Sequence, residues 1–302
     1  MLIIKLINVV LPVFAVMAVG FILGRVLKLN GSSLATVCLY VFNPALYFNA
    51  MVKSTLDSFI LLKVFWFAVV LFIVFIALLK VIARFMKFDE KTANALILSS
   101  GFPNSGNYGL PILLFSFGEP GVTVGVVFMA TQVILMNSAG VYFASSAQQG
   151  IKEALLNILR IPGFIAVVLG LVLRLLEVQP PLVLDRAITL LGGAAIPTLL
   201  LLLGLSLSRI KLHKSWGFVS LATFLKLAVY PLAGLLVLKL FFPLETLAGK
   251  VLLVCAATPT AATTTLLAVQ FDNRPELVST VTFATTALSL VTVSFVLSRV
   301  MT

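Results

Sequence analysis

Two apolar segments of this chain are interrupted by polar residues, and those interruptions are where chemistry could occur. One reads Leu98-Ser-Ser-Gly-Phe-Pro-Asn-Ser-Gly-Asn-Tyr-Gly-Leu-Pro111, with Asn104, Ser105 and Asn107 held between Pro103 and Pro111. The other reads Cys255-Ala-Ala-Thr-Pro-Thr-Ala-Ala-Thr-Thr-Thr265, with Thr258, Thr260, Thr263 and Thr264 around Pro259. Amides and hydroxyls in this pattern bind rather than cut. Their N–H and O–H groups suit an anion, and their oxygens suit a small cation such as sodium. Proline removes a backbone donor and clashes with the preceding turn, and glycines such as Gly101, Gly106 and Gly109 weaken helix further. Each segment therefore reads as two half-helices meeting at a gap. A half-helix N-terminus aims N–H groups and a positive dipole end at an anion. The plain alternative is a pair of kinked helices packed through small residues.

Nothing else in the chain suggests catalysis. There is no Ser/His/Asp set, metal-ligand cluster or phosphate loop, so an enzyme is not expected. His213 sits between Lys211 and Lys214 in a charged loop and reads as solvated. Cys38 and Cys255 lie inside apolar stretches with no disulfide or metal spacing. Glu119 and Asp272 fall at the ends of the two broken segments, and no acidic residue lies deep in any span. That leaves no carboxylate for a proton relay and no cofactor beyond a coupling Na+ or H+, which the threonines and Ser105 would hold with backbone carbonyls.

The elements that position these residues must cross a membrane. Hydrophobic residues make up 61% of the 302 and charged residues 10%, where a soluble domain carries about 25% charged. Ten apolar runs, each able to span a bilayer core of about 30 Å, lie at 2–27, 33–52, 60–84, 92–117, 121–145, 155–176, 182–207, 216–240, 247–271 and 275–299. The first run is too long for a cleavable signal and lacks a small-residue cleavage site. The net charge of +11 is spread over short loops, with no basic tract or aromatic platform for nucleic acid. Lys80, Arg84, Lys87 and Lys91 on the third loop and Arg209, Lys211 and Lys214 on the seventh put the larger share on one side. By the positive-inside rule both termini lie outside. Composition and charge suit a bacterial inner membrane.

The chain also reads as one half written twice. Pro12, Pro44, Pro103 and Pro120 recur as Pro162, Pro197, Pro259 and Pro275, at offsets of 150, 153, 156 and 155 residues. The expected organisation is a five-crossing repeat over 1–146, a polar linker at 147–156 and a second repeat over 157–302. An odd number of crossings per repeat makes the second half insert upside down. Matching interrupted spans in inverted halves point to a midplane transport site.

Further positions belong to this reading. Asn43-Pro44 and Ile196-Pro197 mark hinges or kinks in crossings two and seven, with Asn43 within reach of the site. Gln132 and Asn137 lie in crossing five and face inward, as polar residues in a span do; substrate contact or a helix-to-helix hydrogen bond would each account for them. Lys226 lies twelve residues beyond Lys214, about 18 Å along a helix. It could neutralise a substrate carboxylate, stand in for a coupling cation, or snorkel as a structural lysine.

The stretch Pro103-Asn-Ser-Gly-Asn-Tyr-Gly-Leu-Pro111 resembles the fourth-helix motif of the auxin efflux carrier family, which has the form Pro-Asn-x-x-x-x-Gly-x-Pro. Pro259 is similar to the family's ninth-helix crossover proline, Asn43-Pro44 to its second helix, and Pro275 to Phe283 to the start of its tenth. The resemblance implies an all-α fold of ten crossings in two inverted repeats, like the bile acid/sodium symporter fold, with crossings four and nine meeting at their prolines. It implies a scaffold of crossings 1, 2, 6 and 7, often dimeric, here through crossings two and seven. Crossings 3–5 and 8–10 form the moving part. Asn104 is implied as a substrate contact. The expected function is secondary transport of a small organic anion, such as malate, malonate or an auxin-like acid. An anion channel or a ligand sensor built on the same break is the alternative.

Overall fold

A computed structural model describes residues 2–145, 161–210 and 212–301. The linker read at 147–156, and Lys211 among the loop charges, lie outside the described residues. The described chain is all helical. The helices are α1 (Leu2–Val26), α2 (Ser32–Val52), α3 (Ser58–Phe85), α4 (Glu90–Gly101), α5 (Ser105–Ala144), α6 (Pro162–Leu175), α7 (Leu182–Ser208), α8 (Trp216–Leu238), α9 (Leu247–Ala257), α10 (Ala262–Gln270) and α11 (Pro275–Val300). Seven of these, α1, α2, α3, α5, α7, α8 and α11, are long and apolar enough to cross a membrane. Large apolar side chains such as Phe85, Val183, Leu190 and Leu240 stand exposed on the outer surface, as a lipid-facing belt requires.

Local sequence sets the ends. Asp57 caps α3 by accepting the Phe59 N–H at 2.8 Å. The Thr246 hydroxyl caps α9 by accepting the Gly249 N–H at 3.1 Å. α4 and α9 both stop one residue before a proline, at Phe102 and Thr258, and both of those residues are extended. That is the steric effect of a proline ring on the residue before it. α5 bends sharply at Gly118, whose φ of 66° and ψ of −162° only glycine adopts at little cost. The sequence reading ends one crossing at 117 and starts the next at 121, and two helical limbs do meet at Gly118, with Pro120 in the first turn of the second limb.

The halves are joined by backbone contact. A Cβ added to Gly20 on α1 would stand 2.2 Å from the Leu201 carbonyl oxygen on α7, and one on Gly204 would stand 2.0 Å from that of Met17. On the other pair, a Cβ at Gly170 on α6 would stand 2.8 Å from the Phe48 carbonyl oxygen on α2. In lipid, where apolar helices gain little by leaving solvent, this small-residue closeness is what lets them pack. Lys53 adds an ion pair to Asp185 at 2.8 Å between α2 and α7.

Candidate functional site

The two proline breaks lie against each other. Phe102 to Asn104 runs antiparallel to Pro259 to Ala261, with Pro103 opposite Thr260. The Asn104 N–H donates to the Pro259 carbonyl at 2.8 Å, and the Ala261 N–H donates to the Phe102 carbonyl at 3.0 Å. Backbone groups freed by the prolines are thereby paired in the interior, as a non-helical stretch at membrane depth demands.

A cavity of about 420 Å³ opens beside this junction. Five amides line it: Asn43, Asn104, Asn107, Gln132 and Asn137, along with Ser105 and Thr263. Tyr40, Tyr47, Met129, Met136 and Phe164 supply apolar wall. None of its described lining residues carries a charge. Asn104 is buried and its Nδ2 has no hydrogen-bond partner. Gln132 is buried too, with both Nε2 and Oε1 unpartnered. Buried amides without partners are rare, and here they stand at a cavity wall with the start of α5 next to them. A second cavity, of about 660 Å³, is lined by Asn30, Ser206, Arg209, Thr265, Glu276 and Thr282 among others. Asn107 and Thr263 line both cavities.

The remaining predicted residues fall elsewhere. Thr258 and Thr260 are fully buried and their hydroxyls donate to the carbonyls of Cys255, at 2.7 Å, and Ser99. Neither lines either cavity, and the described residues hold no group of His, Cys, Asp or Glu able to bind a metal. Pro111 is buried in the first turn of α5's apolar part, Pro44 follows a π-helical turn at Cys38–Phe42, and Pro197 sits just beyond the interruption of α7 at Ala194. The Gln132 amide has the Tyr230 hydroxyl of α8 as its polar neighbour, without a hydrogen bond of ordinary geometry, whereas Asn137 donates to the Val133 carbonyl of its own helix at 2.8 Å. Lys226 is fully buried in the middle of α8, at a π-helical turn, and lines neither cavity. Its Nζ stands 3.8 Å from the Tyr230 ring centroid and has no hydrogen-bond partner. At the loop end of α4, the Thr92 hydroxyl and then the Arg274 guanidinium hold the exposed Asp89 carboxyl below the usual range.

Sequence reasoning missed the apolar wall. Tyr40, Tyr47, Met129 and Phe164 look like ordinary span residues, and only the meeting of α2, α5 and α6 gathers them. It also missed Lys53, Asp185 and Thr189, which join the outer ends of α2 and α7 through the ion pair and a 3.1 Å hydrogen bond.

This arrangement has relatives. The sequence profile of a family described as membrane transport protein matches residues 5–154 and again residues 149–297. The chain is 28% identical to an uncharacterized transporter of Methanocaldococcus jannaschii, over 95% of this chain and 96% of that one. It is 26% identical to an uncharacterized transporter of Methanothermobacter thermautotrophicus, over 93% and 94%. It is 25% identical to a Rhizobium meliloti protein named "Putative malonate transporter", over 95% and 93%. A multi-pass helical body and a profile that fits each half make this chain a member of the membrane transport protein family, the auxin efflux carriers, whose members are transporters and not enzymes.

Proposed function

We propose that the chain is a secondary transporter of a small carboxylate, with malonate as the first candidate, working by alternating access around the two proline breaks. The observation that carries this reading is the pair of unpartnered amides, Asn104 Nδ2 and Gln132, on the wall of an uncharged cavity at the junction. An uncharged lining can still hold an anion, because amide donors and a helix N-terminus bind it without a permanent counter-charge that would resist release. Malonate is the substrate class in the name of the Rhizobium meliloti relative.

The architecture in this reading has ten crossings. Crossing four is α4 plus α5 up to Gly118, crossing five is the rest of α5, and crossing nine is α9 plus α10. Two lines of support favour inverted repeats. The family profile fits each half separately. The glycine contacts also correspond: Gly20 meets Leu201, and Gly170, 150 positions on from Gly20, meets Phe48, 153 positions before Leu201. Exchange of the halves turns one contact into the other. Crossings 1, 2, 6 and 7 would then be the frame, and the crossed helices the moving part. Asn107 and Thr263, shared by both cavities, stand where such motion would switch access.

The test is uptake of labelled malonate by proteoliposomes. Saturable uptake, lost in Asn104→Ala, supports a carrier with its site at the break. Conductance without saturation would move the function to an anion channel, and binding without flux to a sensor.

A further inference from the structure

A line of unpartnered polar groups leads inward from the cavity. Gln132 forms part of the wall. The polar neighbour of its amide is the hydroxyl of Tyr230 on α8, which is fully buried and makes no hydrogen bond of ordinary geometry. One turn back on the same helix is Lys226, whose Nζ rests over the Tyr230 ring and is equally unpartnered. Three successive buried polar side chains that touch one another, yet make no hydrogen bond of ordinary geometry among the described residues, are not what packing alone produces. A polar residue at such a depth is also a functional site by default.

Among the described residues no counter-charge faces the amine. α5 reaches this part of α8 at Gln132, and its one charged residue, Glu119, stands at the Gly118 bend; the other elements packed against it are α3, α4, α9 and α11. The titratable groups that face it are Tyr230 on its own helix and Cys255 on α9. The charged residues of those elements lie in their first or last two turns: Lys63, Lys80 and Arg84 on α3, Glu90 and Lys91 on α4, Lys250 on α9, Glu276 and Arg299 on α11. An ammonium in so dry a place is costly unless an anion stands near. An anion is what the cavity is proposed to admit.

We propose that Lys226 is the coupling-proton site of this carrier, so that one carboxylate and one proton are carried together and sodium is not needed. The inference rests on the carboxylate reading given above. The neutral amine uses its lone pair to take a proton from water on the side to which the cavity is open. It returns that proton to water on the other side as the anion leaves; no electrons change hands. Gln132 and Tyr230 are the dipoles through which the bound anion favours the charged amine. Coupling of this kind is reciprocal: the anion strengthens proton binding by the factor by which the proton strengthens anion binding.

The experiment is calorimetry of malonate binding to the full-length purified protein at pH 7.5, in two buffers of different ionisation heat. The wild-type protein should take up about one proton per malonate, and its affinity should rise up to about tenfold per unit of acidification in the range where that proton is linked. Exchanging sodium for potassium should leave the affinity unchanged. Lys226→Gln should bind more weakly and take up no proton. Lys226→Arg, which keeps the charge but does not titrate, should also take up none and bind with no dependence on pH. Wild-type binding without proton uptake, a sodium requirement, or uptake retained in both variants overturns the inference while leaving the carboxylate site standing. Absence of malonate binding by the wild type at any pH overturns the carboxylate reading and this inference with it.

Discussion

Asn104 and Thr260 occupy the same place in the two halves, each directly after the proline that breaks its segment. They have been put to different uses. Asn104 keeps its Nδ2 without a protein partner at the cavity wall. Thr260 is sealed: its hydroxyl donates to the Ser99 carbonyl and its N–H to the Thr285 hydroxyl at 3.2 Å. One break leaves an unpartnered amide at the cavity wall; the other ties the crossing together. Two copies of a segment need not share a function for the geometry they form to be shared. A symmetrical junction can hold an asymmetrical site.

The sharpest way to break this contrast is at Asn104. In Asn104→Ala, malonate affinity should fall roughly ten- to a hundredfold, the worth of a hydrogen bond to a charged group at about 1.5–3 kcal/mol. Thermal stability should barely change, because no protein partner of Nδ2 is lost. If the melting temperature falls while affinity holds, the assignment of the two breaks is reversed. Next in size is Thr260→Val, which leaves the Ser99 carbonyl without its donor. Stability should drop by about 1–3 kcal/mol, read as a lower melting temperature, with affinity changed only a few-fold. A smaller effect is expected of Thr263→Val, on the one threonine of the second break that faces both cavities. Affinity should fall about two- to fivefold, the worth of one neutral hydrogen bond; a loss equal to that of Asn104→Ala would mean that both breaks hold the ligand. The smallest effect belongs to Arg274→Ala. Its 3.4 Å pair with Asp89 is exposed, and solvent screening leaves such pairs little effect on stability. The Asp89 carboxyl is held low in the folded protein, so its contribution is present at neutral pH and fades on acidification through the carboxylate range. The variant should lose part of that small acid dependence, the share held by Thr92 remaining, and keep full malonate binding.

Much of this was legible in the chain. Proline acts on its own neighbours, so the ends of α4 and α9 could be placed from Pro103 and Pro259 without a structure. Polar residues in a span must face inward, and Asn43, Asn104, Asn107 and Gln132 do meet at one cavity. What could not be read was set by contacts between distant segments. Whether a threonine hydroxyl faces a ligand or a carbonyl depends on the helix opposite, and Thr258 and Thr260 face carbonyls. Lys226 could be placed at depth from its distance to Lys214, yet its separation from the cavity by Tyr230 depends on how α8 turns against α5 and α9. The break at Gly118 could be read from glycine and proline together, which mark the end of one helical limb and the start of the next.

The glycine contacts between α1 and α7 and between α2 and α6 have a consequence for assembly. They lie within the helices and belong to both halves, so a surface by which the halves recognise each other is built into the spans. Residues 1–146 and 157–302 made as two separate chains in one membrane should therefore find each other through Gly20, Gly170 and Gly204. The fit between the halves is then carried by the helices themselves.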